Sequence, residues 1–175
     1  GLVGFGNVGR RVGHRALAFG MKVAVYDPFV QLENPTIGHQ VPSLEQLLRM
    51  SDFVSLHARA SAETENLFGP KQFASMKAGS YFVNTARETL VDEDALDEAL
   101  TSGHLAGAAL DVVRGRSATG PHPLLRHDNV IITPHIGGAT HETLLRGVTM
   151  VATEIGRFTE GGRLASVVNR PAVEV

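Results

Sequence analysis

The chain has 175 residues, 43% of them hydrophobic and 19% charged, with a formal net charge of -2. That balance suits an ordinary globular core and gives no broad attraction to nucleic acid or to an anionic membrane surface. Cysteine is absent, which excludes disulfides and thiolate metal sites and fits a cytoplasmic setting.

A short buried strand is predicted over 2–5, followed by a helix over about 8–19 that Gly20 stops. A second strand over 22–26 breaks at Asp27-Pro28. Ser43-Leu44-Glu45-Gln46 has the capping-box pattern and opens a short helix to Met50, after which 53–56 reads as a strand. Gly69-Pro70 starts a helix towards Met76, and 80–84 is strand again. Asp92 caps a helix that runs through Leu100 and ends at Gly103. A small-residue strand over 105–112 follows, then a long irregular connection over 115–126. The remaining elements are a strand over 130–132, a long helix over about 141–158 and a last short strand over 166–168. Strands separated by helices predict a parallel sheet covered on both faces. The fold class is therefore α/β, a doubly wound parallel sheet of the Rossmann type, with residues 1–175 as one dinucleotide-binding domain. No apolar run is long enough to span a bilayer.

Gly4-Phe5-Gly6-Asn7-Val8-Gly9 is G-x-G-x-x-G between the first strand and the first helix, and the second strand ends at the acid Asp27. This is the context in which the motif binds a dinucleotide. Gly4 permits the tight turn, Gly6 admits a pyrophosphate, and Gly9 lets helix and strand pack closely. The backbone at Asn7 and Val8 turns free N–H groups towards the phosphates. Asp27 would accept from the adenosine ribose hydroxyls and repel a 2′-phosphate, and Pro28-Phe29-Val30 supplies no arginine to attract one. NAD is expected over NADP.

Further candidates follow the ends of later strands, where an open α/β sheet places its ligands. Thr85-Ala86-Arg87 offers a guanidinium that either holds a carboxylate or oxo group or pairs with Glu88 at the surface. Asp111 falls on the same rim. His135, between Pro134 and Gly137-Gly138, is a candidate acid/base. His57 ends a strand and is expected to line the cofactor cleft through its backbone or its side chain. The histidines are scattered, without a His-x-x-x-His pair, so no metal site is expected.

Together, GLVGFGNVG, VYDP, DFVSLHARASAETENLF, MKAGSYFVNTAR, LVDEDALDEALTSGHLAGAALDV, HPLL and NVIITPHIGGAT run in order across nearly the whole chain. They resemble the cofactor domain of the D-isomer-specific 2-hydroxyacid dehydrogenases, of the phosphoglycerate dehydrogenase and glyoxylate/hydroxypyruvate reductase type. The resemblance implies a 2-hydroxy or 2-oxo acid substrate, bound between this domain and a second one. Arg87 would hold its carboxylate and oxo group, and His135 would exchange a proton with its oxygen. Asp111 would lie near the nicotinamide carboxamide, while His57, Thr85, Ala86 and Gly138 would line NAD. The resemblance also implies a homodimer built through this domain. The family carries its substrate domain ahead of the glycine loop, so this chain is expected to be part of a larger enzyme and, alone, to be inactive. Its 167–169 stretch looks like the family's natural finish. One departure is sharp: the family's usual glutamate five residues after the LDV aspartate is here Arg116, and 113–127 holds no acid. That loss leaves a second expectation open, a non-catalytic NAD-sensing or partner-binding protein on the same fold.

Overall fold

Every strand of the sheet pairs in parallel with its neighbours. The computed structural model describes residues 1–32, 37–115 and 121–167, and contacts divide the chain into two units, Gly1–His135 and Ile136–Val175. In the first unit, β1 (Leu2–Val3), β2 (Ala24–Tyr26), β3 (His39–Gln40), β4 (Phe53–Leu56), β5 (Ser80–Asn84), β6 (Leu105–Leu110) and β7 (Val130–Ile132) form one sheet. Its order is β3-β2-β1-β4-β5-β6-β7. The order reverses where β1 stands between β2 and β4, which opens a crevice at the carboxyl ends of those strands.

Side chains alternate across the sheet, and the helices divide between its faces. Leu2, Phe5 and Val25 pack with Val12, Ala16 and Leu17 of α1 (Asn7–Ala18). Leu56, Phe82 and Leu110 turn the other way, towards α2 (Leu44–Met50), α3 (Pro70–Ser75) and α4 (Glu93–Thr101). That second face is the denser. The rings of Phe68, Phe73 and Phe82 meet at centroid distances of 4.9 to 5.7 Å. All three are fully buried, a burial that stabilises by about 1.5–3 kcal/mol per side chain. On the α1 face, Phe53, Tyr81 and Ile131 remain exposed, with the Phe53 and Tyr81 rings stacked 5.0 Å apart.

The expected doubly wound α/β architecture is present, with local differences. β3 was not expected, since two residues at a polar edge give no periodic signal. The strand expected over 105–112 stops at Leu110, although the Asp111 N–H still donates to Asn84 O at 2.9 Å. Of the strand expected over 166–168, Ser166 and Val167 lie in no strand, and Val168 lies outside the described residues. The Ala165 and Ser166 N–H groups donate instead to the Glu154 carboxylate, at 2.8 and 3.1 Å. With these bonds leading, the Glu154 carboxyl is held below its ordinary pKa.

The second unit is built on α5 (His141–Thr159), whose Thr140 cap accepts the Thr143 N–H at 3.1 Å. No residue of α5 is buried, and Leu144, Val148, Val151 and Ile155 stay exposed along it. Among the described residues no helix is long and apolar enough to cross a membrane.

Candidate functional site

The glycine loop is shaped by what its residues lack. Gly4 has a φ of +91°, and a Cβ there would stand 2.7 Å from Ala58 N. A Cβ on Gly9 would stand 2.3 Å from Gly4 O, so only glycine lets α1 approach the end of β1 this closely. Gly6 differs: a Cβ there would meet nothing within 4 Å. Asp27 ties the loop to β2. One carboxylate oxygen accepts the Phe5 N–H at 2.7 Å and the other the Phe29 N–H at 2.8 Å. Each oxygen keeps a lone pair for a further donor.

Beside this loop, the ends of β4 and β5 wall a cavity of about 380 Å³ lined by Val8, His57, Arg59, Thr85, Ala86 and Arg87, among others. The His57 N–H donates to Val3 O at 2.7 Å, holding the β4 exit against β1. Its imidazole Nε2 lies 2.9 Å from Ser55 Oγ, and burial pushes the His57 pKa below its ordinary value. Asn84, fully buried, shapes the β5 exit: its Oδ1 accepts the Ala86 N–H at 2.9 Å and its Nδ2 donates to Arg87 O at 3.0 Å. That turn presents Arg87 at the surface, where Nη1 donates to Ala86 O at 2.6 Å.

The exits of β6 and β7 line a second cavity, of about 620 Å³, with Asp111, Thr133 and His135 in its wall together with Glu88, Arg114 and His122. Asp111 is buried, and its Oδ1 accepts the Thr133 hydroxyl at 2.5 Å. His135 is exposed with φ +59°, a left-handed conformation uncommon outside glycine, closed by a bond from its N–H to Thr133 O at 2.9 Å. Long-range contacts build the opposite wall. Glu93, on the first turn of α4, accepts the Arg114 N–H at 2.6 Å, and its other oxygen lies 3.1 Å from His122 Nε2. His122 Nδ1 accepts the Leu124 N–H at 3.3 Å, which leaves the ring N–H on Nε2 to face Glu93. Arg114 also reaches Asn66 Oδ1 at 2.6 Å. One carboxylate thereby joins both sides of the irregular connection.

The expected residues thus divide into two groups. Val8, His57, Thr85, Ala86 and Arg87 share the smaller cavity beside Gly4, Gly6, Asn7 and Gly9; Asp111 and His135 share the larger one. Gly138 belongs to the second unit, and Arg116 lies outside the described residues. Arg87 forms no ion pair with Glu88, and with Nη1 on Ala86 O its Nη2 takes no hydrogen bond among the described residues. Asn84, Glu93 and Arg59 escaped the sequence reading; an asparagine ending a strand just before a rim arginine was the one legible sign. Among the described residues no group of three or more histidines and carboxylates is placed to hold a metal ion.

Residues 1–137 match the family described as D-isomer specific 2-hydroxyacid dehydrogenase, NAD binding domain. The chain is 41% identical to D-3-phosphoglycerate dehydrogenase of Escherichia coli K12, covering all of this chain and 43% of that protein. It is 39% identical to glyoxylate reductase of Korarchaeum cryptofilum, covering all of this chain and 53% of that one. The crystal structure of D-lactate dehydrogenase with NAD+ from Lactobacillus jensenii superposes with a TM-score of 0.88 at 30% identity, over 97% of this chain and 55% of that one. The chain spans about half the length of the relatives it matches.

Proposed function

This chain belongs to the D-isomer specific 2-hydroxyacid dehydrogenases, as their NAD-binding domain, and from that premise we propose that the protein carrying it interconverts a D-2-hydroxy acid and its 2-oxo acid. The observation that carries the proposal is the contrast within the glycine loop. Gly4 and Gly9 are packed against backbone, while the space before Gly6 is open. A pyrophosphate fits such a cradle, and the Asp27 lone pairs suit a ribose diol. The cofactor, when bound, would supply the hydride as NADH or take it up as NAD+.

The rest of the work falls to the chain's own residues. The backbone at Gly4, Gly6, Asn7, Val8 and Gly9 holds the phosphates, and Asp27 holds the adenosine ribose. Asp111 lies near the nicotinamide carboxamide, and His57, Thr85, Ala86 and Gly138 line the cofactor. Arg87 binds the substrate's carboxylate and oxo oxygen through its planar fork. In the reducing direction His135 gives its proton to that oxygen, and in the oxidising direction it removes the proton from the hydroxyl. The left-handed backbone at His135 fits a side chain held for a task. The intact pair Arg87 and His135 supports catalysis over a purely sensing role. We further place the protein in the cytoplasm as a homodimer, a state that the exposed apolar side of α5 supports.

The test is calorimetric titration of NAD and NADP against the chain and its Asp27→Ala form. NAD binding should weaken by roughly 1–3 kcal/mol, as for hydrogen bonds to a charged group. NADP should lose less, because repulsion of its phosphate disappears with the carboxylate. An unchanged NAD/NADP ratio would count against the assignment of Asp27.

A further inference from the structure

Arg59 has no assigned task, and its surroundings give it one. It follows β4, whose exit lies against the glycine loop: a Cβ on Gly4 would stand 2.7 Å from Ala58 N, the residue before Arg59. Arg59 and Val8, of the first turn of α1, line the same cavity of about 380 Å³. The backbone presenting Arg59 is held, since its carbonyl accepts the Thr64 hydroxyl at 2.9 Å and the Ser61 N–H donates to that same Thr64 oxygen at 2.8 Å. Its guanidinium has no hydrogen bond or ion pair among the described residues.

The other cations near the loop are differently engaged. Arg10 spends Nε on Phe5 O at 3.1 Å and lays its guanidinium 5.2 Å from the Phe5 ring centre. Arg87 donates to Ala86 O and stands on the next strand over, on the β5 side of the cavity. A pyrophosphate brings two negative charges to a loop that otherwise offers backbone N–H groups, and a planar guanidinium is the side chain best matched to such oxygens.

Building on the NAD reading above, we propose that Arg59 is a cofactor-binding residue that closes on the dinucleotide's pyrophosphate. Arg87 is thereby left free for the substrate's carboxylate. Charge is divided between two neighbouring strand exits, Arg59 for the cofactor and Arg87 for the acid.

The test is calorimetric titration of the chain with NAD, with ADP-ribose, which keeps the pyrophosphate but lacks nicotinamide, and with adenosine, which lacks both. Arg59→Ala should weaken NAD and ADP-ribose equally, by about tenfold for the loss of a charge-assisted contact, and reduce the salt dependence of both. Adenosine should bind as before. Arg59→Lys should recover part of the loss, because charge is restored without the fork. Thermal melting of each variant, expected unchanged for an exposed side chain, separates binding from folding. Unchanged NAD and ADP-ribose affinities in Arg59→Ala would overturn the proposal. So would a KM increase in the full-length enzyme confined to acids with a second anionic group, which would assign Arg59 to the substrate. Failure of the unaltered chain to bind either pyrophosphate-bearing ligand would instead bring down the NAD reading itself.

Discussion

The two halves of the sheet's carboxyl rim are built by opposite means. Around β1 the site is made of backbone and of side chains that are missing: Gly4 and Gly9 pack where a Cβ would collide, and Gly6 leaves space. Around β6 and β7 it is made of side chains that are present. Glu93, Arg114, His122 and Asn66 are tied together across 21 to 48 residues of sequence to form one wall. The first kind of site tolerates no addition, and the second tolerates no loss. A dinucleotide loop can be generic because pyrophosphate is always the same; a wall made of side chains can differ from one protein to the next.

The largest test of that contrast is Gly9→Ala. Its new Cβ would lie 2.3 Å from the Gly4 carbonyl, a backbone atom with no flexible end to yield. We expect a loss of about 2–3 kcal/mol in chemical denaturation, in the range of overpacked cores. Gly6→Ala should change stability by no more than about 0.5 kcal/mol, the scale of an uncrowded surface change, while still weakening NAD binding. Equal stability of the two variants would show that the close approach of α1 to β1 is not what holds the loop.

On the other half, Glu93→Ala removes the acceptor shared by the Arg114 N–H and His122. The Glu93 and His122 side chains are only 17% and 11% exposed, so water replaces the lost bonds poorly. A loss of about 1–2 kcal/mol is expected, as for the part-buried Arg114 N–H left without its acceptor, while His122 Nε2 keeps Arg114 O at 3.2 Å. Amide exchange at Arg114 should quicken more than exchange at Val25 or Leu56 in the sheet. A uniform increase across all amides would mean that Glu93 supports the whole fold and not this wall.

The same contrast explains what could be read from the sequence. Gly4, Gly6, Gly9 and Asp27 announce themselves because a backbone-built site has a short, local, ordered signature. The capping residues Ser43 and Asp92 are legible for the same reason, each accepting bonds from amides two or three residues ahead. Arg87, Asp111 and His135 become candidates from their positions at strand ends. Their division between two cavities does not follow from those positions, because it depends on the spacing of strand exits in three dimensions. Glu93 was hidden behind its neighbour: Asp92 explained the start of the helix, and nothing local shows that the next acid turns back to residues 114 and 122. β3 is too short to carry any period.

The smallest effect lies where the two halves approach each other, at His57. Burial of the ring lowers its pKa in the folded chain from the ordinary 6.5, so the folded state keeps the imidazole neutral over a pH range in which the unfolded chain protonates it. Between the lowered value and 6.5 the unfolded state binds more protons, and stability therefore rises with pH through that window. Read downwards, stability is full above 6.5, falls as pH drops through it, and levels once the folded form also titrates. His57→Gln should remove this slope while leaving stability at neutral pH close to its original value, since the amide can still reach Ser55. Ser55→Ala should keep the slope, because burial and not the hydroxyl causes the shift. Denaturation midpoints of the three proteins across pH 5 to 8 read the difference directly, the range in which histidine changes charge. A slope abolished by Ser55→Ala would assign the effect to the hydrogen bond at 2.9 Å, and the β4 exit would then belong with the side-chain-built half of the rim.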